Sequence, residues 1–351
     1  MNQRSTALTL AVVCLVALFG LAFLAPMPYV LLSPGPTENT LGAVGGKPVI
    51  SIEGHPVYPT KGELRLTTVS ETRADYHVRL PQVLDSWLSP NEIVVPRDVI
   101  YPPDQSVTQV QAQNTQEMLD SQQTAIVAGL AEVGIDALKV KIKSVVADSP
   151  AEGVLQPGDE IIAIDGKPVD TRDDVVAGIT DLEPGTPVKV TFVRDGTTQT
   201  VTLKTVADTT GHAKSRIGIE LDPDEFDPPF DVTINLGQTI GGPSAGMIFS
   251  LAIYDMLTPG PLTGGRDIAG TGTIDIHGNV GVIGGIQQKI AGAYDDGARV
   301  FLVPADNCAE AAGSPLADDV QLVRVATLDD AISALKALNA GDTAAIPRCE
   351  S

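Results

Sequence analysis

Three regimes of apolar patterning follow one another along this chain. The first runs from Thr6 to Ala25, twenty residues without a charge; as a helix this is about 30 Å, the thickness of a bilayer's hydrocarbon core. The second, from Pro26 to Pro103, is a pattern of strands and turns. Pro34-Gly35-Pro36 punctuates it, Val49–Glu53 alternates, and so does Glu63-Leu64-Arg65-Leu66-Thr67-Thr68-Val69. Helical spacing follows through Glu117–Ala125, with Met118, Ile126 and Leu130 on one face. Alternation returns between Leu138 and Val206, in Lys139–Val145, Val188–Val193 and Thr198–Leu203, with Asp165-Gly166 marking a tight hairpin and Asp173–Leu182 a helix. After Phe230 the third regime alternates strands with amphipathic helices. Strands are expected at Phe230–Leu236, Arg299–Val303 and Val320–Val325, and Thr327-Leu328-Asp329-Asp330 caps a last helix carrying Ile332, Leu335 and Leu338. The mixture predicts an α+β fold.

The uncharged N-terminal run has two readings, a membrane span or a cleaved signal peptide; for the second, Gly20 and Ala22 form a better small-x-small site than Phe23 and Ala25. Arg4 and the amino terminus are the only positive charges nearby, since the next basic residue is Lys47. As a span, the run would leave the N-terminus in the cytoplasm and everything after Ala25 outside. Cys14 lies within it, while Cys308 and Cys349 either pair, tying the C-terminal tail to the domain, or both stay free. The formal charge, 23 − 44 = −21, comes without any Lys/Arg-rich run, which excludes a nucleic-acid partner. His55, His77, His212 and His277 show no paired-ligand spacing, so neither a metal nor a cofactor is expected.

Candidate chemistry sits in two places. In Gly241-Gly242-Pro243-Ser244-Ala245-Gly246, Ser244 opens the apolar run Met247, Ile248, Leu251, Ala252, at what should be a helix N-terminus. Unpaired backbone N–H groups point outward there, and Gly241 and Gly242 carry no side chain to obstruct a peptide, so Gly241, Gly242 and Pro243 are expected to frame an oxyanion site. Lys289, forty-five residues on, lies in Gly284-Gly285-Ile286-Gln287-Gln288-Lys289-Ile290-Ala291-Gly292-Ala293, a helix that Gly297 should end. It falls at the edge of the stripe Ile286, Ile290, Ala293. Either its stem snorkels to water, or desolvation lowers its pKa until the neutral amine can take a serine proton.

These stretches resemble the proteolytic domain of Lon, a protease family with a Ser–Lys dyad. The nucleophile motif is similar to Gly242-Pro243-Ser244-Ala245-Gly246 and the lysine motif to Gly284–Lys289. Thr271-Gly272-Thr273-Ile274 and Gly278-Asn279-Val280 match the intervening strands, Phe230–Leu236 the strand before the serine, and Glu117–Ala125 the helix before that. The resemblance implies catalytic roles for Ser244, Lys289 and Thr271, the threonine orienting the lysine. Gly241 stands where many Lon proteins carry aspartate, and Gln288 where they carry glutamate. Rings in that family imply a homo-oligomer.

Between helix and serine, Ser149-Pro150-Ala151-Glu152-Gly153, Gly158-Asp159 and Asp165-Gly166-Lys167-Pro168-Val169 follow in the order of a PDZ domain, which this region resembles. A PDZ domain holds an extended peptide, C-terminal or internal, at a sheet edge. The implied groove strand carries Leu138, Val140 and Ile142, and Ser149–Gly153 should turn into a short helix. Where the family has Gly-Leu-Gly-Phe, this chain has Gly134-Ile135-Asp136-Ala137-Leu138.

The sequence thus reads as an N-terminus and transmembrane anchor (1–27), a β-rich N-terminal part of the protease region (28–133), an inserted PDZ domain (138–206) and a Lon-type domain (214–340). The whole resembles the membrane-anchored bacterial PDZ-and-Lon-domain serine proteases. That implies an endopeptidase acting on unfolded or membrane-tethered polypeptides outside the cytoplasm, and no Gly-x-x-x-x-Gly-Lys-Ser/Thr stretch provides an ATP-driven unfoldase. The PDZ domain would recruit peptides or gate the protease. The rival reading is a non-catalytic PDZ adaptor on a protease-like scaffold. A trypsin-like enzyme is excluded, because neither His55 nor His77 has the required context.

Overall fold

A computed structural model describes residues 3–208, 211, 213–236 and 240–349; His212, one of the four histidines, lies outside the described residues. The chain forms two compact units, Met1–Val133 together with Val232–Ser351, and Gly134–Asp231.

The first unit begins with α1 (Gln3–Leu24). Its window Ala7–Leu24 is apolar enough to cross a membrane, and nothing in the fold covers it. Then come β1 (Tyr29–Asn39), β2 (Glu63–Glu71), α2 (Leu80–Leu88), β3 (Ile93–Pro96) and α3 (Val107–Ala131). Ser106 caps α3 by accepting from the Gln109 N–H. The helix buries Met118, Ile126 and Leu130, the face that its spacing predicts.

The second unit contains β4 (Ile142–Val145), β5 (Glu160–Ile164), β6 (Lys167–Pro168), α4 (Arg172–Thr180), β7 (Pro187–Arg194), β8 (Thr197–Lys204) and β9 (Ile219–Leu221). One sheet runs β6-β5-β7-β8, and β9 pairs antiparallel with β4. Positive φ at Asp165 and Gly166 makes the β5–β6 hairpin the tight turn expected of Asp-Gly. Val140, Ile142, Ile161, Val190, Phe192 and Ile217 form the core. Asp159, of the Gly-Asp landmark, is 2% exposed and held by Arg194 through two bonds of 2.7 and 2.6 Å. By contacts this unit runs on past residue 206 to Asp231, because β9 pairs with β4. One expectation needs correction. Ser149–Gly153 forms turns without a helix, Gly153 adopting φ +73°.

Back in the first unit, Asp231–Ile234 pairs with Ile50–Glu53. The chain then builds α5 (Gly246–Leu257), β10 (Asp267–Gly270), α6 (Ile286–Asp295), β11 (Val300–Pro304), β12 (Gln321–Val325) and α7 (Leu328–Ala340). The central sheet is ordered β12-β11-β10-β2-β1-β3. β10 lies parallel to β2 and β11, as β11 does to β12, while β1 runs antiparallel to β2 and β3. α5 is the core of this unit: Met247, Ile248, Phe249, Leu251, Ala252 and Ile253 have no exposure. It packs on α3 at Gly129, where a Cβ would come within 3.0 Å of the Ser250 carbonyl, so glycine lets the helices touch. Cys308 and Cys349 form a disulfide, and the tail lies along β12, with Arg324 N–H donating to Pro347 O.

One buried carboxylate sits at odds with this core. Asp255, on α5, is 1% exposed; Oδ1 accepts the Leu262 N–H at 2.6 Å, whereas Oδ2 has no partner. Burial raises its pKa above the ordinary carboxyl value. The folded state therefore binds this proton more tightly than the unfolded chain. Its contribution is complete below the unfolded pKa and is lost as pH rises through the folded one. Asp255→Asn should remove this loss, leaving the variant more stable than the parent at pH 8 and no more stable at pH 4. Urea denaturation at the two pH values checks this.

Candidate active site

Ser244 sits on the turn into α5, immediately before the Ala245 N-cap. The turn is tied down from several directions. Gly242, at φ +83°, donates its N–H to Asn114 O of α3 at 3.0 Å. Ser121 Oγ donates to Pro243 O at 2.9 Å, and Gly272 N–H to Ser244 O at 2.8 Å. Those bonds narrow the expected oxyanion frame. Gly242's N–H is engaged and Pro243 has none, so the backbone amides of this turn that face the cleft are those of Gly241, Ser244 and Ala245.

Lys289 reaches the serine from α6. Gly285 opens that helix in the left-handed region at φ +69°, and a Cβ there would meet Val69 Cγ2 at 2.7 Å. Only glycine permits both the turn and this close approach to β2. The helix buries Ile286, Ile290 and Ala293, as the stripe predicts, and is wound so that Lys289 points inward, 4% exposed. Its Nζ lies 2.8 Å from Ser244 Oγ and 3.0 Å from Thr271 Oγ1. Thr271, with no exposure, donates its hydroxyl to Ser244 O at 2.9 Å, which leaves its oxygen to accept from the lysine. Desolvation lowers the Lys289 pKa to about 7. The snorkelling reading therefore does not describe this lysine.

The three residues are brought together, Ser244 and Lys289 on the wall of a cleft of ≈ 510 Å³ and Thr271 buried behind it. Its other walls are β2, from Leu66 to Glu71, and Ile240, Gly241 and Met118. Sequence reading gave no role to Asn114 or Ser121; their only signal was position on the helix before the serine strand. Among the described residues no cluster of His, Cys, Asp and Glu could hold a metal.

The expected peptide groove of the second unit is displaced. Val140 and Ile142 are core residues, 2% and 1% exposed, and Leu138 pairs with Phe226. A separate hollow of ≈ 660 Å³ lies between α4 and β9, lined by Val175, Val176 and Ile179 on one side and Ile217, Ile219 and Leu221 on the other. Among the described residues β9 pairs with β4 alone, which leaves its second edge facing this hollow. The alternation Ile217-Gly218-Ile219-Glu220-Leu221 was the sequence signal for it.

Comparison with known proteins finds two families, at bounds that differ from those of the two compact units. Residues 109–205 match the PDZ domain family, and residues 210–338 match the Lon protease (S16) C-terminal proteolytic domain. The Lon protease of Desulfatibacillum aliphaticivorans is 37% identical over 100 residues, 28% of this chain and 12% of that protein. Lon protease 1 of Sorangium cellulosum is 38% identical over 94 residues, 26% of this chain and 11% of its own. The chain therefore spans only about an eighth of the length of these relatives. The PDZ domain of an SdrC-like protein from Listeria monocytogenes is 30% identical, covering 23% of this chain and 85% of that one, with a TM-score of 0.22. With both matches in one chain, a PDZ-like domain accompanies a region similar to the Lon-type (S16) proteolytic domain.

Proposed function

We propose that Ser244 and Lys289 are the dyad of an ATP-independent endopeptidase, anchored by α1, that cleaves unfolded or membrane-tethered polypeptides outside the cytoplasm. The observation that carries the reading is the 2.8 Å approach of a buried lysine to the serine hydroxyl. Neutral Lys289 takes the Ser244 proton while Oγ attacks the peptide carbonyl, and the N–H groups of Ser244 and Ala245 receive the developing oxyanion. The resulting ammonium returns that proton to the leaving amine, giving an acyl-enzyme. Water, deprotonated by the same lysine, then hydrolyses the ester. Thr271 keeps the amine aimed by accepting from it.

The anchor rests on the uncovered apolar helix and on Arg4 as its nearest charge; the outside location rests on that asymmetry and on the Cys308–Cys349 disulfide. The hollow beside β9 supports peptide capture by strand addition, which would recruit substrate to the protease or gate it.

Casein incubated with the protein in the absence of ATP should be cut, and Ser244→Ala and Lys289→Ala should each lose at least about 10³-fold in kcat. Persistence of cutting in both variants would remove the dyad, and an inert parent would leave the adaptor reading. The lysine acts as base only when neutral, so kcat/KM should rise with pH through about 7 and then level off.

Thr271→Val keeps the side-chain shape while removing the acceptor for Nζ. A roughly 10- to 150-fold drop in kcat is expected, with KM little changed. The pH midpoint should move lower, since the lost bond favoured the charged amine. Steady-state kinetics on a fluorogenic peptide across pH 5 to 9 measures both.

A further inference from the structure

α2 buries the wrong face for a helix of a soluble domain. Val83 and Ser86 point inward, at 9% and 3% exposure, while Leu84, Trp87 and Leu88 stand at 42%, 78% and 86%. The three exposed residues are spaced i, i+3, i+4 and so form one apolar stripe. Its position in the fold gives the stripe a meaning. α1 ends at Leu24; two residues later Pro26 bridges to Arg79, and Met27 N–H donates to Val78 O at 2.8 Å. α2 begins at the very next residue, Leu80, and touches α1. Val99, 66% exposed, belongs to the same neighbourhood, since the Arg97 N–H donates to Pro28 O.

We infer that α2 is a membrane-docking helix, its Leu84, Trp87 and Leu88 entering the headgroup and upper acyl region of the bilayer that α1 spans. The inference rests on reading α1 as a retained span. A bilayer is favoured over a second copy of the chain because the stripe is continuous with the point where α1 would leave the membrane. Tryptophan is the side chain that settles at headgroup depth, its ring in the apolar zone and its N–H in the wet one. Nine residues are too few to hold a protein on a membrane alone. They need not do so, because the span already fixes them at the surface and makes docking an intramolecular step. Docking would also set the attitude of the catalytic cleft. β2, whose residues Val69 to Glu71 line that cleft, runs on into the segment leading to Arg79. A polypeptide tethered to the same bilayer would meet the cleft at a fixed height.

Trp87 is the chain's single tryptophan, which provides a direct probe. The full chain is reconstituted in vesicles of phosphatidylcholine and phosphatidylglycerol, with and without bromine on the acyl chains, and washed at alkaline pH. Docking predicts short-wavelength Trp87 emission, protection from acrylamide, and loss of most of the intensity in brominated vesicles. The double variant Leu84→Ser, Leu88→Ser should shift the emission to longer wavelength and weaken the bromine effect while casein is still cut at the parental rate. A chain that survives the wash with long-wavelength, acrylamide-accessible and bromine-insensitive emission overturns docking while leaving the anchor intact. Short-wavelength emission that ignores bromine assigns the stripe to a protein contact and also overturns it. A chain released by the wash overturns the span itself, and docking with it.

Discussion

The amine of Lys289 is buried, and much of the first unit around it is arranged to meet the cost of burying it. An ammonium moved into the protein interior loses several kcal/mol of hydration, on the order of what a whole domain has to spare. Among the described residues the partners of this amine are two hydroxyls and no carboxylate. The fold meets that cost by holding a group that gives up its proton near neutrality. Ile286, Ile290 and Ala293 press α6 onto the core, Gly285 lets the helix start against β2, and Thr271 fixes the amine without charging it. A carboxylate at Thr271 would hold the ammonium firmly and make it useless as a base. Reactivity here is a consequence of withheld solvation, which links packing on one side of α6 to chemistry on the other.

Much of this was legible because it is local. The stripe of α6, the apolar run of α5 and the Asp165-Gly166 hairpin are each set by a handful of neighbouring residues, and they appear where periodicity and turn chemistry put them. The proximity of Ser244 and Lys289 came from resemblance of motifs, since nothing in their spacing brings residues on two different helices together. What was not legible is long-range. Ile219–Leu221 is a three-residue strand whose brief alternation does not say what it pairs with, and its partner lies far upstream. The groove was accordingly assigned to Val140 and Ile142, which are apolar enough for a groove and equally apolar enough for a core. Periodicity cannot make that distinction. The bond from Gly242 N–H to Asn114 O left no trace in the sequence either, because any residue can offer a carbonyl.

The same bond gives α3 a mechanical character. Asn114 and Ser121 grip the turn that presents Ser244, and Ala125 O receives the Ser250 hydroxyl of α5. Ten residues beyond Ser121 the helix ends, and the second unit begins at Gly134. A continuous helix rises 1.5 Å per residue with little give, so the stretch from Asn114 to Ala131 is a strut about 26 Å long. That strut holds the Ser244 turn near one end, so the position of the helix along its own axis sets where Ser244 sits, and a shift anywhere along it would reach the serine turn with little lost.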